Sequence, residues 1–141
     1  MQILQPPDWP RPKGYANGIV AEGRVVFVAG QIGWDAEQRL VSRDLVRQTE
    51  QALKNIIAVL DEAGAGSEHV ARMTWYVIDK RSYIDAKADI GQVYRAVMGT
   101  HFPAMTLVEV SGLLEEGAVV EIEATAVLPD DSMMLPNEKS I

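Results

Sequence analysis

AVVEIEATAVL, residues 118–128, is the stretch that decides the fold. Successive side chains of a β-strand point to opposite faces, so this run predicts a strand with two different faces. One face is wholly apolar: Val120, Ile122, Ala124, Ala126 and Leu128. The other face mixes apolar and charged residues: Val119, Glu121, Glu123, Thr125 and Val127. We expect helices of the same chain under the apolar face, and the mixed face is typical of contact with another subunit.

Two amphipathic helices are predicted to cover the apolar face. DLVRQTEQALKNIIAVLDEAG (44–64) repeats apolar residues at helical spacing, and Asp44 is placed to cap its first turn. SYIDAKADIGQVYRAVMG (82–99) has a similar apolar stripe. Ser82 and Asp85 have the spacing of a capping box, so we expect this helix to begin at Ser82.

The remaining strands complete one mixed sheet. GIVAEGRVVFVAGQI (18–32) predicts a hairpin that turns at Glu22-Gly23, with Val25–Val28 as a buried run. HVARMTWYVID (69–79) and AMTLVEV (104–110) predict one strand each. The order β-β-α-β-α-β-β predicts an α+β two-layer sandwich, with a mixed β-sheet and two helices on one face.

The 141 residues are expected to form a single domain with short ends. Residues 1–13 contain four of the seven prolines and predict an irregular N-terminal arm. Residues 14–128 hold all the predicted helices and strands. Residues 129–141 are polar and predict a C-terminal tail.

Composition narrows the class of protein. The chain has no cysteine, which excludes disulfides and thiolate chemistry, and its two histidines show no metal-ligand spacing, so no metal site is expected. The net charge is −7 and the basic residues are scattered, which disfavours nucleic acid as a partner. There is no apolar run of membrane-spanning length and no visible signal peptide, so we expect a cytoplasmic protein that does not bind membranes.

Several segments together resemble the Rid/YjgF family, the reactive-intermediate deaminases or perchloric-acid-soluble protein group. They include GYANG (14–18), FVAGQIGWD (27–35) and FPAMTLVEV (102–110), and the similarity runs collinearly from Gly14 to Leu128. The resemblance implies a homotrimer of chorismate-mutase-like subunits with small-molecule pockets between them. It also implies a hydrolase that converts enamines and imines to keto acids and ammonia without a cofactor.

The resemblance assigns a role to several positions. A glutamate of the last strand, here Glu121, orients the attacking water, and a tyrosine, here Tyr15, borders the pocket. Ala29, Gly30 and Gln31 occupy the positions that line it nearby. On the residues alone, a glutamate such as Glu121 is more often a solvated strand carboxylate or an ion-pair partner across the trimer, and the family resemblance is what favours the catalytic role.

Position 105 departs from the family. Deaminating members have an arginine after the Pro-Ala corner to hold the substrate carboxylate, and this chain has Met105. Met105 either packs in the core or shapes a more apolar pocket. Arg72 is a possible substitute cation, although we expect it to be structural. Trp34, in the loop after Gly33, is a further candidate for lining the pocket.

Three functions are therefore open. The first is a cofactor-free hydrolase whose substrate differs from simple 2-imino acids because Met105 replaces the arginine. The second is a metabolite-binding or regulatory protein that has kept the pocket without the reaction. The third, the endoribonuclease or translation-inhibitor activity ascribed to some relatives, is disfavoured by the acidic charge.

Overall fold

A four-stranded mixed sheet with helices on one face forms the body of the protein. The computed structural model describes residues 1–130. The strands are β1 (Gln2–Leu4), β2 (Gly18–Val20), β3 (Arg24–Gln31), β4 (Val70–Val77), β5 (Ala104–Glu109) and β6 (Val120–Leu128), and the helices are α1 (Leu45–Glu62), α2 (Lys80–Asp85) and α3 (Lys87–Met98). The main sheet has the order β3-β6-β4-β5, in which only β4 and β5 are parallel. The predicted α+β two-layer sandwich is confirmed.

Strand β6 has the two faces that its alternation predicts. Every second residue from Val120 to Leu128 is buried, and the residues between them are partly exposed. The buried side packs against α1, whose Leu53, Ile56 and Leu60 are fully buried. Asp44 caps α1 as predicted, because its carboxylate accepts a hydrogen bond from the Arg47 N–H at 3.1 Å.

The predicted hairpin at Glu22-Gly23 is wrong. β2 pairs with β1 in a separate two-stranded sheet, and β3 pairs with β6 instead. Gly23 has a φ of 144°, and a Cβ there would meet the Leu128 carbonyl. At Gly23 the chain lies against the end of β6, so the next strand continues along β6 and does not fold back on β2. β1 also places a strand within the segment expected to be irregular.

The predicted buried run Val25–Val28 is also wrong. Only Val28 is buried, whereas Phe27 is 80% exposed and Val25 50% exposed. β3 is an edge strand of a sheet covered on one face, so its side chains alternate between the core and the uncovered face. A run of four apolar residues on such a strand leaves an exposed apolar patch.

The second predicted helix is divided and starts earlier than expected. α2 and α3 are separated at Ala86, and the N-cap of α2 is Asp79. The Asp79 carboxylate accepts hydrogen bonds from the backbone N–H groups of Arg81 and Ser82, and the Ser82 hydroxyl donates to it at 3.0 Å. Because α2 already begins at Lys80, Ser82 lies in its first turn and is not at the N-cap position that the predicted box requires.

The predicted tail falls almost entirely on residues 131–141, which lie outside the described residues. Among residues 1–130, no helix has the length and apolarity needed to cross a bilayer.

Candidate functional site

Glu121 lies on the uncovered face of the sheet with its carboxylate against the backbone of Gly30. A Cβ at Gly30 would overlap the Glu121 carboxylate in this position, so the missing side chain at residue 30 lets the carboxylate lie against the backbone. Within residues 1–130, no group donates a hydrogen bond to Glu121 and no basic side chain pairs with it. This carboxylate is therefore available to bind water or a ligand.

Glu123, two residues further on the same face, is already engaged. The Tyr76 hydroxyl donates a hydrogen bond of 2.6 Å to its carboxylate. This hydrogen bond is the main reason why the pKa of Tyr76 is raised, and desolvation and the charges of Glu123 and Glu121 add to it. Tyr76 is therefore a neutral donor at neutral pH, and the bond gives Glu123 a structural role that Glu121 does not have.

An irregularity in β3 brings its family-matched residues to Glu121. The register between β3 and β6 shifts between Val28 and Gln31, and Gln31 pairs with Ile122. The Gln31 side chain donates to the Ala29 carbonyl at 3.1 Å and holds this bulge. The structure thus brings Ala29, Gly30 and Gln31 to the strand that carries Glu121.

Tyr15 and Met105 line a different cavity, of about 430 Å³, on the helix side of the sheet. Met105 pairs in register with the buried Met73, and it packs against the core from the edge of the sheet. The apolar lining of this cavity includes Trp75, Tyr83, Tyr94, Phe102 and Leu107. Met105 is therefore both core packing and pocket wall.

The aromatic wall was not predicted as part of a site. Tyr94 stacks on Phe102 with ring centroids 5.2 Å apart, and its hydroxyl donates to the His101 carbonyl at 2.8 Å. Burial raises the pKa of Tyr94, so it stays neutral. Trp75 meets Tyr83 edge to face at 6.3 Å. Helical spacing assigns Tyr83 and Tyr94 to an apolar core stripe, and only their convergence with Trp75 of β4 and with Phe102, just before β5, shows the cavity.

Arg72 lies near Met105 but outside the aromatic cavity. Both residues line a shallower cavity of about 260 Å³, together with Tyr15, Asn17 and Thr106. Arg72 is exposed and has no ion-pair partner among residues 1–130. Its expected structural role stays a prediction.

Trp34 is placed apart from both cavities. It lies in the turn after β3, where its backbone forms an isolated antiparallel β-bridge with Leu40. Its carbonyl accepts a hydrogen bond of 2.9 Å from the Asn55 side chain. Neither the aromatic cavity nor the shallower one has Trp34 in its lining.

The residues to which the family resemblance assigns a role form two groups within one chain, and the groups are not in contact. Gly30 and Glu121 form one group, and Tyr15 and Met105 form the other. Gly30 and Met105 lie on β3 and β5, the opposite edges of the sheet, which are about 14 Å apart at the usual strand spacing. Glu121 pairs with Tyr76 on the uncovered face, whereas Met105 pairs with Met73 on the helix side. A site that uses both groups needs a second copy of the chain.

Comparison with known proteins gives the same family over most of the chain. The model of the family described as Endoribonuclease L-PSP matches residues 10–128. A RutC family protein of Pyrococcus abyssi is 36% identical over 118 residues, which is 83% of this chain and 89% of the relative. The human 2-iminobutanoate/2-iminopropanoate deaminase is 29% identical over 114 residues, 80% of this chain and 79% of that enzyme.

Solved structures agree. A Rid-family protein of unknown function from Yersinia pestis superimposes with a TM-score of 0.80 at 32% identity, and the match covers 90% of this chain and 98% of that one. Another structure, described as a putative endoribonuclease from Thermotoga maritima, gives a TM-score of 0.65 at 29% identity, and the match covers 91% of this chain and 98% of that one. The chain therefore belongs to the Endoribonuclease L-PSP family, whose members are also called Rid or YjgF proteins.

Proposed function

We propose that this protein is a cofactor-free hydrolase of imines or enamines, acting as a homotrimer at sites between subunits. The observation that carries the proposal is the Glu121 carboxylate, which lies against Gly30 without a hydrogen-bond donor among residues 1–130. Glu123 provides the contrast, because its hydrogen bond from Tyr76 occupies it. Two similar human and goat proteins are 2-iminobutanoate/2-iminopropanoate deaminases, which supports this reaction class.

The reaction needs one group that accepts and returns a proton. Glu121 accepts a proton from water as the water oxygen bonds to the imine carbon, and it returns this proton to the nitrogen, which gives a neutral carbinolamine. Glu121 then takes the proton of the new hydroxyl group and passes it to the nitrogen, the C–N bond breaks, and ammonia and a carbonyl product leave. No electron transfer occurs, so the balance requires only water.

Met105 sets the substrate apart from that of the arginine-bearing relatives. A thioether offers no charge-assisted hydrogen bond to a carboxylate, and such a bond contributes about 1.5–3 kcal/mol. A small 2-imino acid would leave its carboxylate beside an apolar wall. We therefore expect the natural substrate to differ from the simple 2-imino acids.

The substitution Met105→Arg tests this proposal. It should raise hydrolysis of 2-iminopropanoate by at least about tenfold, the low end of the same hydrogen-bond estimate. The imine is generated in the assay by oxidation of the amino acid, and ammonia release is measured above the spontaneous rate. The wild type should hydrolyse this imine slowly and should hydrolyse a bulkier member of an imine panel faster.

The double variant Met105→Arg with Glu121→Ala is the control, and it should lose the gain because binding without activated water does not accelerate hydrolysis. Oligomeric state is checked first in each variant. An intact Met105→Arg protein that binds small keto acids without faster hydrolysis would contradict the hydrolase and favour the metabolite-binding alternative.

The uncovered sheet face supports the trimer. Phe27, Val25 and Val108 are exposed on the same face of the sheet as Glu121, and a chain in water gains by burying such apolar surface. The separation of Glu121 from Met105 points the same way, because the family's site needs both groups. A closed assembly that places the β5 edge of one copy near β6 of the next would complete three equal sites.

Light scattering should give a mass three times the chain's 15.5 kDa at micromolar concentration. Phe27→Asp should shift the mass toward the single chain, because it places a charge on the apolar face that the trimer would bury. Leu114→Asp is the matched control, since Leu114 is fully exposed in the loop before β6 and away from the sheet. A wild-type protein that stays at 15.5 kDa would refute the trimer.

A further inference from the structure

The aromatic cavity has a basic rim. Lys13, Lys87 and Arg95 line it, and no acidic residue does. Within the described part of the chain, none of the three forms an ion pair. The Arg95 guanidinium lies beside Gly91, because its Nη1 is 3.4 Å from where a Cβ of Gly91 would be. Arg95 of α3 is thus a cation without an acidic partner in the described residues. Gly91 has no side chain, so it leaves the space beside the guanidinium open.

The wall of the cavity is suited to a ring. Tyr83 and Phe102 are partly exposed in the cavity over the buried Trp75 and Tyr94, and aromatic rings favour stacked or edge-to-face contacts with one another.

The size of the cavity excludes a good fit for the smallest imino acids. Its volume of about 430 Å³ lies within the range of pockets that enclose ligands of drug size. A three-carbon acid would leave most of this space to water. Met105 adds a polarisable thioether that packs well against a ring, which accounts for an apolar residue at a position where a small acid would need a cation.

We propose that this cavity binds an aromatic carboxylate, with the ring against Tyr83, Phe102 and Met105 and the anionic group on Arg95. Lys13 and Lys87 add positive charge at the rim. The inference rests on the proposed function in one respect, because the same cavity would hold the body of the imine substrate. The substrate would then be an aromatic imino acid, and its carboxylate would be bound by Arg95 of helix α3 and not by the residue at position 105.

Calorimetric titration with 3-phenylpropanoate tests the inference, since this probe has no C–N bond to hydrolyse. It should bind more tightly than neutral 3-phenylpropan-1-ol and more tightly than propanoate. Arg95→Gln should weaken binding of the acid by about three- to tenfold, between the effects of an exposed ion pair and of a charge-assisted hydrogen bond. The same substitution should leave binding of the alcohol unchanged, and Arg95→Lys should recover part of the loss.

Two control variants locate the cation. Arg81→Gln removes an exposed arginine of α2 that lies outside the cavity, and it should have no effect. Arg72→Gln removes the arginine of the neighbouring shallow cavity, and it should also have little effect. Equal binding of the acid and the alcohol, no binding of the acid at millimolar concentration, or a loss with Arg72→Gln in place of Arg95→Gln would each overturn the inference.

The outcomes for the two proposals are separate. If 3-phenylpropanoate binds as described but no imine in the panel releases ammonia faster, the hydrolase fails and the aromatic anion site stands. If ammonia is released from small imines and the aromatic acid does not bind, the hydrolase stands and the aromatic anion site fails.

Discussion

Glu121→Gln is expected to lower enzyme-dependent ammonia release by at least about 100-fold on the best imine of the panel. Positioned proton transfer contributes roughly 10²- to 10⁴-fold in enzymes, and an amide does not accept a proton from water at neutral pH. Glutamine has nearly the same shape as glutamate, so it should fit against Gly30 where the carboxylate lies. The loss should appear in kcat with little change in KM, because the substituted group acts on water and not on the substrate's body.

Glu123→Gln is the matched control, on the same strand and face. Glu123 accepts the hydrogen bond from Tyr76, and a glutamine oxygen still accepts it. Turnover should therefore change by less than about fivefold, because the substitution only replaces a charge-assisted hydrogen bond from Tyr76 with a neutral one. If Glu121→Gln keeps more than a tenth of the activity, or if Glu123→Gln loses more than Glu121→Gln, the role assigned to Glu121 is wrong.

The sequence predicts the sandwich because its strongest patterns come from burial on one side only. β6 alternates over its whole length, and α1 keeps an apolar stripe over 18 residues with a capping aspartate. These patterns depend on local spacing, which a sequence shows directly. The hairpin at Glu22-Gly23 failed because strand pairing is decided by distant partners. Nothing near Gly23 indicates that β2 pairs with β1 and that β3 pairs with β6.

The candidate site is predictable in its residues and less so in its arrangement. The family resemblance identifies Glu121 and Gly30, and the structure places them in contact. It also identifies Met105, but the side of the sheet on which Met105 lies follows from its register with Met73. The basic rim of the cavity was missed, since Arg95 and Gly91 look like ordinary positions of a helix until the cavity beside them is seen.

Gln48 links the stability of the fold to the position of Glu121. The spacing of apolar residues along α1 does not indicate this role. It lies in α1, fully buried, and its side chain forms three hydrogen bonds. The amide nitrogen donates to the carbonyls of Ser42 at 2.8 Å and Gly117 at 2.9 Å, and the oxygen accepts from the Val119 N–H at 2.9 Å. Val119 is two residues before Glu121, so Gln48 fixes the start of the strand that carries the carboxylate.

The same residue also packs against the segment that follows Gly30. A Cβ at Gly33 would be 2.5 Å from the Gln48 Cα, so the chain after β3 lies directly on α1 at this point. Gln48 therefore joins α1 to the two strands, β3 and β6, whose contact places the Glu121 carboxylate against Gly30. Loss of its hydrogen bonds should loosen that contact as well as the fold.

Gln48→Met should lower the free energy of unfolding by about 3–5 kcal/mol, because it keeps the volume but leaves two carbonyls and one N–H buried without partners. Urea denaturation at one fixed protein concentration measures the change, since assembly makes stability depend on concentration.

Gln51→Met is the matched control on the same helix, where the glutamine makes one hydrogen bond of 2.9 Å to Asn55, and it should cost about 1 kcal/mol or less. Under conditions where Gln48→Met remains folded, its turnover should fall more than that of Gln51→Met, because the start of β6 is no longer held. Equal stabilities for the two variants would show that the three bonds do not hold the strand, and the position of Glu121 would then need another cause.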